Sequence, residues 1–188
     1  ALTTATTFDT MSRTLVKTDA YGRRSFTVYD VNDRIVRTVS ELVPSGYTGA
    51  TTQAALAALV RPTVANPPYV IDDTSYDAEG QVLTTIDGRG ISSTYAYDGQ
   101  GRMTSMTEAV AIMPAITAYG YDVQGNRTQA TSPRGVVTAM TYTGRNLLAT
   151  VTEAAGTGEA TTVRRLTYTP TGKVATETDA LNRVTQFA

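Results

Sequence analysis

The residues best placed to do chemistry in this sequence are acidic. Asp9, Asp30, Asp77, Asp98 and Asp122 each follow an aromatic residue: Phe8, Tyr29, Tyr76, Tyr97 and Tyr121. Carboxylates brought together in pairs can act as general acid and base. These five recur once per repeated unit, however, and a catalytic pair is not repeated along a chain. Asp next to a turn can instead bond the amides of its own loop, and turn capping is the better reading. The densest acidic group, Asp72, Asp73, Asp77 and Glu79, could hold a hard cation such as calcium. It lacks the Asp-x-Asp-x-Asp-Gly spacing of a calcium loop, which favours a solvated loop. The chain has no His and no Cys, so His-based triads, thiol nucleophiles and the usual zinc sites have no ligands to draw on. Pro170-Thr171-Gly172-Lys173 lacks the first Gly and the following Ser or Thr of a phosphate loop. No catalytic residue, metal or cofactor is assigned, and no enzymatic turnover is expected.

Arginine is the other candidate. The chain carries 14 Arg against two Lys. Arg13, Arg23, Arg24, Arg34, Arg102 and Arg183 stand at turn exits. Such a row could bind acidic glycans bidentately while Tyr faces stack on sugars. The plainer reading pairs each Arg with a neighbouring Asp along a sheet and lets its charge guard the edges. Tyr, likewise, is core first and sugar platform second.

The elements that must position these residues are read from a repeat. An aromatic residue returns after 21 residues from Phe8 to Tyr29, Tyr76 to Tyr97 and Tyr121 to Tyr142, with a further copy at Tyr168. Self-similarity at a fixed period marks a repeat array. Counting the aromatic residue as position one, position five holds Ser12, Asp33, Gly80, Gly101, Gly125, Asn146 and Gly172. Gly, Asn and Asp tolerate the left-handed backbone that a short hairpin loop needs. A second turn in each unit places Gly22, Gly90, Gly135 and Asn182 by the same rule, after Asp19, Asp87, Ser132 and Asp179. Thr143 and Thr169 replace the capping Asp.

Between turns lie runs of about seven residues rich in Thr, Val, Ile and Tyr, which suit pleated surfaces; the first is Leu2–Phe8. Each unit is therefore two strands and two reversals. The chain should be an all-β antiparallel hairpin meander with strand in more than half of its residues. Positions seven and 20 are mostly apolar, on the same face as the Tyr, which predicts one drier face of Tyr and aliphatic groups and one wet face of Thr, Ser, Arg and Gln.

The array covers residues 1–40 and 76–188. Residues 41–75 form a Pro- and Gly-rich insertion, in which Thr52–Arg61 reads as a short helix capped by Thr51 or Thr52 and stopped by Pro62. It should project from the array as a lid, a plug or a partner-docking helix. Looser loops are expected around Ala109–Pro114 and Ala154–Gly158.

Tyr-Asp-x-x-Gly-Arg at this spacing, with an intervening Asp-x-x-Gly-Arg, resembles the YD repeats of the Rhs family. That family includes bacterial Rhs proteins, toxin-complex C components, wall-associated contact-dependent toxins and animal teneurins. The resemblance rests on Phe8, Asp9, Tyr29, Asp30, Tyr76, Asp77, Gly80, Tyr97, Asp98, Gly101, Tyr121, Asp122, Gly125, Tyr142, Asn146, Tyr168 and Gly172 as repeat-motif positions. Phe8, Ser12, Asp33, Thr143, Asn146 and Thr169 depart from the pattern.

The resemblance implies a long β-ribbon curling into part of a hollow spiral shell or tube, often around a C-terminal toxin. It also implies secretion or display at the cell surface, with carbohydrate binding as the alternative function. Expected partners are further YD repeats of the same polypeptide, identical copies, an enclosed cargo or toxin, and glycans. The net charge of −1 favours neither nucleic acid nor an anionic membrane, and no apolar run is long enough to span a bilayer as a helix. The chain begins and stops inside the repeat pattern, so it is expected to be part of a longer protein.

Overall fold

The structure, a computed structural model, describes residues 4–109 and 113–187. Among the described residues, fifteen strands and one helix follow one another along the chain. They are β1 (Ala5–Phe8), β2 (Thr14–Thr18), β3 (Arg24–Tyr29), β4 (Ile35–Glu41), α1 (Gln53–Ala57), β5 (Tyr69–Tyr76), β6 (Val82–Ile86), β7 (Ser92–Tyr97) and β8 (Met103–Glu108). The series continues with β9 (Ala115–Tyr121), β10 (Arg127–Thr131), β11 (Val137–Tyr142), β12 (Leu148–Glu153), β13 (Thr161–Tyr168), β14 (Val174–Asp179) and β15 (Val184–Gln186). Each strand hydrogen-bonds to the next in chain order, and the pairings are antiparallel, as in β3 with β4 and β13 with β14. The protein is an all-β meander with a single short helix.

Strand occupies somewhat less than half of the described residues, where more than half was expected. Each reversal takes about five residues out of the ladder, and the excursion between β4 and β5 takes more. The expected strand at Leu2–Phe8 is described from Ala5. The loop expected around Ala109–Pro114 lies partly outside the described residues. The one at Ala154–Gly158 is tightly turned: Thr157 N donates to Ala154 O at 3.2 Å and Ala155 N to Val137 O at 3.0 Å.

Two compact units are present, with the boundary inside β7 at Thr94 and Tyr95; Glu108 at the end of β8 groups with the first. The core of the first unit sits on an unexpected face. Phe26, Val28, Val39 and Ile71 are buried there. Phe26 pairs with Val39 and Val39 with Ile71, so these side chains share one face. Strand side chains alternate, which puts Tyr29 on the other. In this unit the dry face is therefore opposite the Tyr ladder, because the 42–68 excursion lies over it and contributes Tyr47 and Leu56 to the same cluster. Tyr47 packs edge-on against Phe26 and Tyr69, both at 5.4 Å between ring centroids. In the second unit, Leu166 at position 20 is buried on the Tyr168 face.

The excursion does not project freely from the array. Its ends are strand: Glu41 pairs with Tyr69, and Tyr69–Tyr76 is β5. The helix is also shorter than Thr52–Arg61, spanning Gln53–Ala57. Thr52 caps its start, accepting from Ala55 N at 3.3 Å. Its end is set by Arg37 of β4, whose Nη1 donates to the carbonyls of Leu56, Ala57 and Leu59 at 3.2, 2.7 and 2.8 Å. The last carbonyls of a helix have no partner within it; the Leu56 carbonyl also accepts from Leu59 N at 3.3 Å. Arg61 then leaves the helix direction altogether, donating to Asp73 Oδ2 at 3.0 Å and to the carbonyls of Ile71 and Asp87. At the helix start, the Gln53 amide bonds β3 as a strand would: Oε1 accepts from Tyr29 N at 3.0 Å and Nε2 donates to Thr27 O at 2.7 Å.

Candidate functional site

The site is a row of repeated turns rather than a pocket. In each turn of the 21-residue pattern, the backbone closes a five-residue loop. Asp98 N donates to Arg102 O at 2.9 Å, and Gly101 N to Asp98 O at 2.9 Å. The same pair of bonds recurs after Asp9, Asp19, Asp30, Asp77, Asp87, Asp122, Ser132, Thr143, Thr169 and Asp179. Closing the loop this way forces a left-handed residue at its fourth place. Ser12, Gly22, Asp33, Gly80, Gly90, Gly101, Gly125, Gly135, Asn146, Gly172 and Asn182 all have φ between 59° and 90°. Ser12 and Asp33 adopt this backbone without being glycine, so those substitutions leave the turn intact. The motif aromatic ends its strand and pairs with position seven across a register shift: Tyr29 with Ile35, Tyr76 with Val82, Tyr142 with Leu148, Tyr168 with Val174.

The motif Asp is spent inside its loop. Asp98 Oδ1 accepts from the amides of Gln100 and Arg102 at 2.9 and 3.0 Å, and Oδ2 accepts from Arg102 Nε at 2.7 Å. Asp9 and Asp30 hold Arg13 and Arg34 identically. Asp77 Oδ1 accepts from Gln81 N, and Thr143 and Thr169 do the Asp's work with a hydroxyl.

This bonding lowers carboxyl pKa values. The Arg102 amide is the main cause at Asp98, the Ile91 amide at Asp87, the Arg183 amide at Asp179 and the Asn126 side chain at Asp122. A carboxyl whose pKa is lowered by folding stabilises the fold above its unfolded value. That stability is lost as pH falls through the folded value. Stability is therefore expected to be flat from neutrality to about pH 5 and to fall once pH passes below the ordinary aspartate value of about 3.9. Thermal unfolding midpoints across pH 2–7 check this; a midpoint that rises on acidification would contradict it.

What sequence reasoning missed is the connection between units. The motif Arg reaches past its own Asp to the next turn. Arg13 Nη1 meets Asp33 Oδ1 at 2.6 Å, and Arg102 Nη1 donates to Asp122 O at 3.0 Å. Its guanidinium also covers the next motif ring: Arg13 over Tyr29 and Arg34 over Tyr76 at 4.6 Å, and Arg102 over Tyr121 at 4.7 Å. That Tyr hydroxyl in turn donates back to the carbonyl at position seven of the preceding unit. The bonds are Tyr29 to Thr14, Tyr76 to Ile35, Tyr121 to Met103, Tyr142 to Arg127 and Tyr168 to Leu148, at 2.7–2.9 Å.

These latches stand where the backbone ladder between hairpins has ended. The β2–β3 ladder stops at Val16 with Phe26, β4–β5 at Arg37 with Asp73, and β12–β13 at Thr150 with Arg165. Beyond those pairs, side chains replace backbone bonds. Phe8, which is exposed, has no hydroxyl with which to make such a bond. Among the described residues, the Arg side chains of the opposite rim do not reach on in this way. Arg23, Arg89 and Arg183 bond the Asp of their own turn and remain 43%, 77% and 76% exposed, against 21%, 28% and 26% for Arg13, Arg34 and Arg102. Tyr97 and Gly80 complete the row at the end of β7 and in the turn after β5.

Asp72, Asp73, Asp77 and Glu79 do not assemble into a cation site. Asp73 lies between Arg37 Nε at 2.5 Å and Arg61 Nη2 at 3.0 Å, and Asp77 is engaged in its turn. Among the described residues, no three His, Cys, Asp or Glu side chains converge. No helix among them is long and apolar enough to cross a membrane.

Geometry thus defines a hairpin-repeat protein latched along one rim. Residues 76–110 and 121–157 match the family described as RHS Repeat. The fold matches the crystal structure of a TcdB2-TccC3-Cdc42 complex, with a TM-score of 0.59 and 14% identity over 94% of this chain. It also matches TcdB2-TccC3 without its hypervariable C-terminal region (0.59, 15%, 94%) and a Photorhabdus luminescens Tc holotoxin pore (0.54, 15%, 94%). In each case the chain spans 11% of the matched chain's length. No curated protein matches the sequence. Over residues 76–110 and 121–157 the chain resembles the YD-repeat, or Rhs-repeat, family.

Proposed function

We propose that this segment is part of the wall of a hollow YD-repeat shell or tube that encloses or conducts cargo, and that it does no chemistry of its own. The observation that carries the reading is the unbroken chain-order meander, latched hairpin to hairpin by Tyr and Arg. Such an array extends by adding units, because the motif Tyr of a new hairpin bonds the position-seven carbonyl of the one before, in several units under a covering Arg. A long open sheet twists, and beyond about ten strands it tends to curl or close.

In this reading the motif residues from Phe8 and Asp9 through Tyr168 and Gly172 are structural. The partners are further repeats of the same polypeptide or identical copies, and the protein works outside the cell. The glycan-binding alternative is less well supported. It needs free guanidinium groups over open Tyr faces, whereas Arg13, Arg34 and Arg102 are bonded to Asp and cover the rings themselves. Electron microscopy of the intact protein is the test. A hollow particle whose wall is one sheet thick is expected; a solid globule would end the reading.

A further inference from the structure

Position six is not Arg in every unit (Gln81, Asn126, Leu147 and Lys173 stand there instead), and at the Asn126 step the other parts of the latch border an open cleft. Position six of the motif is Arg13, Arg34 and Arg102 in the filled latches, but Asn126 in the unit before Tyr142. Asn126 reaches only Asp122 Oδ2 at 2.9 Å and Asn146 Oδ1 at 3.1 Å. Beside it lies a cleft of about 440 Å³ bordered by Asp122, Met140, Tyr142, Thr143 and Asn146. The Tyr142 ring is held by its bond to Arg127 O at 2.9 Å, so the cleft has a fixed aromatic wall. Asp122 has no cationic partner among the described residues, whereas Asp9, Asp30 and Asp98 each hold an Arg.

We propose that this cleft takes the guanidinium of an arginine side chain presented by a second polypeptide. The ligand is specified by the chain's own filled sites. There a guanidinium stacks on the motif ring, bonds the motif carboxylate and donates to the next turn. Here Tyr142, Asp122 and the Thr143–Asn146 turn hold the corresponding positions. A planar fork suits this combination of carboxylate and ring better than an ammonium does. The next step of the row is an internal control. Its cleft of about 490 Å³ is bordered by Leu147, Leu166, Tyr168 and Pro170. Thr143 stands there in place of Asp, and Arg145 Nη1 already donates to Pro170 O at 2.9 Å. It offers a guanidinium no carboxylate. The proposal does not depend on the shell reading.

The test is a titration of the whole ¹⁵N-labelled chain with N-acetyl-arginine amide, followed by NMR. Saturable shifts are expected at the Thr143 and Asn146 amides, with Thr169 unmoved. Asp122→Asn should weaken binding roughly tenfold, as for loss of one charge-assisted bond. Asn126→Arg should abolish it by filling the cleft from within. If that variant does not fold, the comparison of probes on the unaltered chain decides alone. Absence of a saturable shift would overturn the proposal. So would equal shifts with N-acetyl-citrulline amide or N-acetyl-lysine amide. Maltotriose moving these signals where the arginine probe does not would also overturn it, in favour of a sugar site.

Discussion

Replacing Arg24 with alanine is expected to destabilise the first unit by about 3–5 kcal/mol, the usual cost of stranding a buried charge. The Glu41 side chain is 0% exposed and meets Arg24 Nη2 at 2.6 Å. It also accepts from the amides of Arg24 and Tyr47 at 2.7 and 3.0 Å, while Arg24 Nη2 donates to Tyr47 O at 2.6 Å. Burial works to raise the Glu41 carboxyl, but Arg24 and the two amides outweigh it and hold it below its ordinary value. Take Arg24 away and the carboxylate keeps its burial but loses its cation. Chemical denaturation followed by amide exchange in β3 and β4 measures the loss. Combining Arg24→Ala with Glu41→Met should recover most of it, because the stranded charge is then gone. A loss under about 1 kcal/mol for the single variant would mean that Glu41 reaches water, which the structure does not allow.

Leu56→Ala is expected to cost about 2–5 kcal/mol, the range for emptying a packed aliphatic site. Leu56 is the buried residue of α1 and is fully enclosed with Phe26, Val39 and Ile71. The experiment asks whether the excursion between β4 and β5 is integral to the first unit or an appendage. If it is integral, the exchange protection of β3, β4 and β5 drops together. A variant that loosens only residues 42–68, with those strands unchanged, would show an appendage. Val60, at 80% exposure, is the matching control: Val60→Ala should change stability by less than about 0.5 kcal/mol.

The turn system was legible because its information is local. A left-handed residue, a capping Asp and an aromatic strand end fall within six consecutive residues, and their backbone chemistry needs no distant partner. Repetition then raised a weak signal to a firm one, and it carried the family resemblance with it. Residues 42–68 were less legible for the same reason. Nothing in Thr52–Arg61 says that Arg37 will take the helix's last carbonyls, or that Arg61 will turn away to Asp73 and the Ile71 and Asp87 carbonyls. The face chosen by the core was partly readable. Phe26, Val28, Val39 and Ile71 alternate as one buried face should, but they oppose the Tyr ladder. Only the excursion lying over them decides which face is dry.

By itself, then, the sequence determined the all-β meander, the place of each reversal and the residues that turn it. Those depend on backbone sterics and on bonds spanning at most four residues. The tertiary structure alone decided what joins one hairpin to the next. Arg13 and Tyr29 are sixteen residues apart and Arg34 and Tyr76 forty-two, yet both pairs stack at 4.6 Å. Two such different separations give one contact because strand pairing, not chain distance, sets which side chains meet along a rim. The open step at Tyr142 follows from the same fact: Asn126 is an ordinary substitution in the sequence and becomes a cleft only when Tyr142 is set beside it.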